Sequence, residues 1–114
     1  MNSFIYRLFA IIVLLSYLQS EDKKNLALNY FMQGQFFMNQ GNYALAILEF
    51  QDALLLDPNA GTIHISLADA YIRLGKDKRS MEHLKIALEL NPEDLEAMKM
   101  LGQLYIGQKN LKEA

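Results

Sequence analysis

The side chains that could carry out chemistry are few in this sequence, and their spacing does not favour catalysis. The two histidines are His64 and His83, and neither has an acid or a second histidine at a spacing typical of metal ligands. There is no cysteine, which excludes a disulfide framework, a thiolate metal site and a cysteine nucleophile together. A glycine-rich phosphate loop and a nucleophile motif are also absent. We therefore predict that the chain is not an enzyme and has no catalytic residue, cofactor or metal ligand, with His64 packed and His83 solvated.

The charge distribution excludes a second class of function. The 114 residues carry a formal net charge of −2, and acidic and basic residues are interspersed along the chain. A nucleic-acid-binding protein is expected to carry a basic stripe or patch. We therefore expect no nucleic-acid partner.

The N-terminus differs in composition from the rest of the chain. Leu8 to Leu18 run without a charge after the single Arg7, and these eleven helical residues would span about 16 Å, well short of a hydrocarbon core of about 30 Å. A basic start, a short apolar run and the small Ser20 before the charged sequence EDKK are typical of a cleavable signal peptide. Leu18, however, stands where a signal peptidase prefers a small residue.

We therefore predict a signal peptide at residues 1–20 and an exported protein, periplasmic or secreted, whose mature chain begins near Glu21. Two alternatives remain open from the sequence. One is a short uncleaved membrane anchor formed by residues 4–18, and the other is an amphiphilic helix that caps the domain.

A short motif occurs twice in the remainder of the chain. The sequence ALLLDPNA ends one apolar run and ALELNPED ends another. The interval from Ala53 to Ala87 equals that from Pro58 to Pro92, and a fixed period of this length, about 34 residues, is the usual mark of stacked repeats. Apolar residues within each period recur at spacings of three and four, which predicts two amphipathic helices per unit.

Glycine and proline divide these helices. Gly41 and Gly75 follow the first helix of each unit, where glycine accommodates a left-handed terminating residue, and a proline follows each second helix and blocks its continuation. The predicted units are residues 27–60, 61–94 and an incomplete 95–114, after a linker at residues 21–26.

The residues of these units resemble the tetratricopeptide repeat (TPR) family, whose pattern is W-x2-L-G-x2-Y, then A-x3-F, then a proline, within a period of about 34 residues. The positions that match the pattern are Tyr30, Gln33, Gly34, Phe37, Ala46, Phe50, Ala53 and Pro58; then His64, Leu67, Ala68, Tyr71, Ser80, Leu84, Ala87 and Pro92; then Met98, Leu101, Gly102 and Tyr105. The resemblance implies an all-α fold, a right-handed solenoid of antiparallel helix pairs preceded by an N-terminal hydrophobic helix. It also implies that the small residues of the pattern lie at helix crossings and that the aromatic residues Tyr30, Phe37, Phe50, Tyr71 and Tyr105 are core.

The resemblance implies a function as well: a scaffold for protein–protein interaction that binds a segment of a partner in a concave groove. In this family the groove is lined mainly by the first helix of each unit. The groove residues expected here are Phe31, Gln35, Met38, Ile65, Asp69, Ile72, Arg73, Lys99 and Gln103. The alternative is a structural spacer or an accessory repeat region of a longer protein that could include an enzymatic domain.

One known use of the fold is argued against by the sequence. The clamp that holds the C-terminal carboxylate of chaperone tails needs lysine, asparagine and arginine at five groove positions. The residues at those positions are Phe31, Gln35, Ser66, Glu96 and Met100. No cation is present among them, so we expect no carboxylate clamp.

The third unit is only begun. It reaches Ala114 where its second helix would start, so Met98, Leu101 and Tyr105 are expected to present an uncovered apolar stripe. We expect the protein to continue past this residue, because repeat arrays normally close with a helix that has a polar outer face.

Overall fold

The computed structural model describes residues 2–113, which form five α-helices and contain no strand. The helices are α1 (Asn2–Asn39), α2 (Tyr43–Leu56), α3 (Gly61–Arg73), α4 (Asp77–Leu90) and α5 (Leu95–Glu113). Helices α1 and α2 form one packed pair, α3 and α4 form the next, and α5 packs on α4. This arrangement confirms the prediction of an all-helical solenoid of helix pairs.

The turns inside the two pairs form as the glycines predict. Gly41 and Gly75 have φ angles of +74° and +71°, the left-handed region that side-chain-bearing residues rarely adopt. In the first turn Asn42 also caps α2, since its Oδ1 accepts a hydrogen bond from the backbone N–H of Leu45 at 3.5 Å. The position of the third unit that is equivalent to Gly75 is Lys109, and there α5 continues as a helix. Ala114, predicted to occupy the next packing position, lies outside the described residues.

The first part of the core lies between α1, α2 and α3. Its fully buried centre is Phe50, and Ala46 and Ala53 on the same helix are also inaccessible to solvent. Gly34 of α1 lies directly against the Phe50 ring, so close that a β-carbon at this position would overlap the ring. The small residue predicted at this crossing is therefore a steric requirement.

The second part of the core lies between α3, α4 and α5. Ala68, Ser80, Leu84 and Ala87 are all buried, as the repeat pattern predicts. The requirement for a small residue does not hold in α5, because a β-carbon on Gly102 would meet no atom within 4 Å.

Tyr105 is 46% exposed, which differs from the core position that the repeat pattern gives it and agrees with the uncovered stripe expected for the incomplete third unit. Both differences have one reason, because no further helix covers α5 within residues 2–113. Met98 is exposed on the same helix, as expected for an uncovered stripe.

The first helix is much longer than a repeat requires. Residues 21–26, predicted to be a linker, are helical and join the apolar N-terminal segment to the first repeat without a break. Every residue from Asn2 to Leu26 is exposed, and Ala27 is the first buried residue. Within the described chain, α1 is the helix whose length and composition would allow it to cross a membrane, although signal sequences share these features.

Candidate partner-binding groove

The first helices of the units, α1, α3 and α5, lie side by side and leave two clefts between them. The cleft between α1 and α3 is here named the α1/α3 cleft, and that between α3 and α5 the α3/α5 cleft. A hydrogen bond from Gln35 Nε2 to Ser66 Oγ, 2.9 Å long, joins α1 to α3. The two clefts together form the surface that we call the groove.

The α1/α3 cleft is mainly apolar. It is a cavity of about 280 Å³ lined by Lys24, Ala27, Leu28, Phe31, Asp57, Ala60, Thr62 and Ile63. Phe31 also touches the core, with its ring 5.8 Å from the ring of Phe50 and tilted against it. The floor of this cleft is therefore held by the packing of the first repeat.

The α3/α5 cleft has a mixed lining. It is a cavity of about 450 Å³ lined by Asp69, Ile72, Arg73, Glu96, Lys99, Met100 and Gln103. Arg73 Nε lies 3.4 Å from Asp69 Oδ1 one helical turn earlier, and both side chains remain partly exposed. With two acids and two bases around an Ile72 and Met100 floor, this cleft can bind a segment that carries both signs of charge.

The structure places the nine predicted groove residues in three environments. The six that line the clefts are Phe31, Asp69, Ile72, Arg73, Lys99 and Gln103. Gln35 is used by the hydrogen bond to Ser66, and Met38 packs against the first core cluster.

Ile65 differs from the expectation. It is 8% exposed and belongs to the second core cluster, together with Ala97 and Leu104 of α5. It is therefore buried because α5 approaches α3 closely at this level.

Some cleft residues were missed by the sequence reasoning. Asp57 and Ala60 belong to the turn between α2 and α3, and Lys24 was assigned to a linker. A sequence signal for Lys24 does exist, because residues 2–33 contain neither glycine nor proline and nothing there ends a helix.

The carboxylate-clamp positions hold no cation in the folded chain. Phe31 and Met100 line the two clefts, and Glu96 adds a negative charge to the α3/α5 cleft. A C-terminal carboxylate would therefore find no lysine or arginine at these positions and would meet a carboxylate at one of them.

The two histidines meet on the other side of α3, although they are far apart in the sequence. His64 Nδ1 lies 3.1 Å from His83 Nδ1, and His64 Nε2 lies 3.1 Å from the carbonyl oxygen of Pro58. Because a carbonyl can only accept, Nε2 of His64 carries a proton and donates it to Pro58. With Nε2 as the donor to Pro58, Nδ1 of His64 is placed to accept a hydrogen bond from Nδ1 of His83.

His83 is not simply solvated, as had been expected, because it is half-buried and stacks on Tyr71. Burial, and next the neighbouring His64, lower the pKa of His83, while Glu82 acts in the opposite direction. Among the described residues no three histidine, cysteine or acidic side chains are grouped to hold a metal ion. The pair joins α3, α4 and the turn at Pro58.

Comparison with known sequences identifies the class of protein. The tetratricopeptide repeat family matches residues 27–60 and, through a second repeat profile, residues 61–104. The chain belongs to the tetratricopeptide repeat family, as its repeat pattern had predicted.

Similar structures agree with this assignment. The first TPR domain of Spaghetti (RPAP3), solved bound to the HSP90 peptide SRMEEVD, superposes with a TM-score of 0.72 at 26% identity over 79% of this chain and 73% of that one. The second TPR domain of the same protein, bound to the same peptide, superposes with a TM-score of 0.76 at 20% identity over 83% of this chain and 87% of that one. The second likeness supports the fold alone.

Curated relatives include photosystem I assembly proteins. Ycf3 of Prochlorococcus marinus subsp. pastoris is 29% identical over 109 residues, which cover 91% of this chain and 63% of the relative. Ycf3 of Synechococcus sp. (strain CC9605) is 32% identical over 79 residues, which cover 67% of this chain and 46% of the relative. The chain thus spans less than two thirds of the length of either relative.

Proposed function

We propose that this protein is an interaction scaffold that binds a segment of a partner protein in the groove. The observation that supports the proposal is geometric: six residues that the family resemblance assigns to a groove line two open clefts between the first helices. A TPR neighbour solved with a peptide bound is a precedent for such binding.

The lining favours an internal segment of the partner over a C-terminal tail. The α1/α3 cleft offers the apolar surface of Leu28 and Phe31 to an apolar side chain. The α3/α5 cleft offers both signs of charge to polar groups further along the segment. With Glu96 and no cation at the clamp positions, the peptide SRMEEVD should not bind to this chain. Isothermal titration of the peptide into this protein tests the expectation, and a TPR domain that carries the clamp serves as the positive control.

Site-specific photo-cross-linking in the native host tests the groove itself. A photoreactive residue at Gln103, which is exposed in the α3/α5 cleft, should cross-link one partner protein. The same residue at Lys85, exposed on α4 and outside the groove, is the matched control. Equal yields from both positions would instead favour the structural-spacer interpretation.

A more specific candidate is a role in assembling a membrane-protein complex such as photosystem I, supported by the Ycf3 relatives. Replacement of the corresponding repeats of a cyanobacterial Ycf3 by residues 27–104 of this chain tests it. Accumulation of photosystem I in the resulting strain is the expected result. A strain that makes the chimeric protein stably but no photosystem I would contradict this narrower role and leave the general scaffold proposal in place.

A further inference from the structure

The continuity of α1 connects the apolar N-terminal segment to the groove. We infer that residues 4–18 hold the chain in a bilayer and that the groove is thereby presented to the membrane-proximal segment of an integral membrane protein. This inference rests on the proposed function and names the class of partner.

The N-terminal half of α1 has the surface of a membrane helix. Its large apolar side chains are all exposed, from Phe4 at 68% to Leu18 at 50%, and none is covered by another helix of the described chain. Residues 4–18 are about 22 Å long as a helix, and the polar residues that flank them, from Asn2 to Gln19, extend this length to about 27 Å, which covers most of a hydrocarbon core of about 30 Å. Arg7 lies near one end, from which its long side chain can reach the headgroups. Tyr6 and Tyr17 lie towards the two ends, as is usual for tyrosines at membrane interfaces.

Two further features favour an anchor over a cleaved signal. Leu18 is large where signal peptidase prefers a small residue. The charged residues Glu21 to Lys24 continue the helix, so the apolar segment and the first helix of the first repeat form one continuous rod.

This rod sets the height of the α1/α3 cleft above the bilayer. Lys24, which lines the cleft, follows Leu18 by six residues, about 9 Å along the helix axis. The headgroup region of a bilayer is about 5–8 Å thick on each side. The α1/α3 cleft therefore opens at the outer edge of the headgroups.

The orientation of α3 follows from its contacts with α1. Lys24 and Leu28 share the cleft with Thr62, whereas Gln35 bonds to Ser66, so α1 and α3 run in the same direction. The N-terminal end of α3 faces the bilayer, and its C-terminal end, at Arg73, points away.

This geometry favours a partner segment that lies next to the membrane. A chain leaving the bilayer beside α1 needs only about three extended residues, at about 3.3 Å each, to reach the α1/α3 cleft. Its apolar side chains at the membrane boundary meet Leu28 and Phe31, and its following polar residues meet the charged α3/α5 cleft. A soluble segment would have to compete with such chains, which are held at the same height and so have a high effective concentration.

The first test measures height without any partner. Because the chain has no cysteine, single cysteines at Val13, Thr62 and Lys76 can each carry a fluorophore, and all three side chains are exposed. In phosphatidylcholine vesicles, we expect quenching of the Val13 probe by nitroxides on the lipid chains and of the Thr62 probe by nitroxides on the headgroups. The Lys76 probe, at the far end of α3, should be quenched by neither. A Val13 probe that escapes quenching, or a Lys76 probe quenched as strongly as the Thr62 probe, would overturn the inference and leave the proposed function standing.

The second test uses the full chain in its native host. Its intact mass should retain residues 1–20, and a mature chain beginning near Glu21 would overturn the inference. A photoreactive residue at Thr62 should cross-link a membrane protein within about ten residues of a membrane span, a distance of roughly 33 Å when extended. Cross-links to a soluble protein would overturn the inference but support the scaffold. If neither Thr62 nor Gln103 cross-links above the Lys85 control, the scaffold proposal fails as well.

Discussion

The contact between Gly34 and Phe50 allows a sharp test of the packing. Replacing Gly34 by alanine places a β-carbon onto three atoms of the Phe50 ring, which is fully buried and has Phe31 as a neighbour. Overpacking of this kind costs about 1–3 kcal/mol. Replacing glycine by alanine inside a helix stabilises the helix by about 1 kcal/mol. Because the ring is enclosed, we place the steric term in the upper part of its range and expect a net loss of about 1–2 kcal/mol.

The loss should appear as a lower melting temperature. For a domain of about 60–100 residues, 1 kcal/mol corresponds to about 4–8 °C, so Gly34→Ala should lower Tm by about 4–16 °C. Gly102→Ala is the matched control, since Gly102 occupies the same repeat position but has open space around it. It should be stabilised by up to about 1 kcal/mol through helix propensity alone. Thermal melts of both full-length variants in one detergent, followed by circular dichroism, make the comparison, and a Gly34→Ala protein as stable as Gly102→Ala would refute the packing argument.

Three further predictions concern single residues. The lowered pKa of His83 means that the folded state favours neutral His83, so its contribution to stability should be full above the unfolded pKa of about 6.5 and should be lost as the pH falls below it. Tm should therefore decrease more between about pH 7.5 and 5.5 in wild type than in His83→Gln. Equal decreases would contradict this. Ile65→Ser should cost about 2–5 kcal/mol in urea unfolding because the side chain is buried, whereas Ile72→Ser, in a cleft, should cost clearly less; equal losses would show that both are core. Gly75→Ala should cost about 1–2 kcal/mol from the left-handed backbone alone, because its β-carbon meets no neighbour, and an unchanged urea midpoint would count against it.

Much of the fold was predictable because the repeat pattern is local. Gly41 and Gly75 end helices through their own backbone conformation, and the buried Ala53 and Ala87 follow from helical spacing within each unit. These features depend on a few consecutive residues, which the sequence displays directly.

The candidate groove was predictable only in part. Ile65 and Ile72 are two helical turns apart on one face of α3, and nothing local distinguishes them. The approach of Ala97 and Leu104 on α5 buries Ile65, while Ile72 remains at the edge of a cleft. The distance between neighbouring helices therefore decides which groove positions are open.

The sequence by itself determined the repeat period, the helix pairs and the turns, because each depends on residue type at a fixed spacing. Only the tertiary structure decided that Gly34 is crowded while Gly102 is open, since one is covered by Phe50 of α2 and the other has no helix over it within the described chain. Tertiary packing likewise brought His64 and His83 within hydrogen-bonding distance across two helices. Burial and contact depend on which helices lie next to each other, and a pattern within one helix does not contain that information.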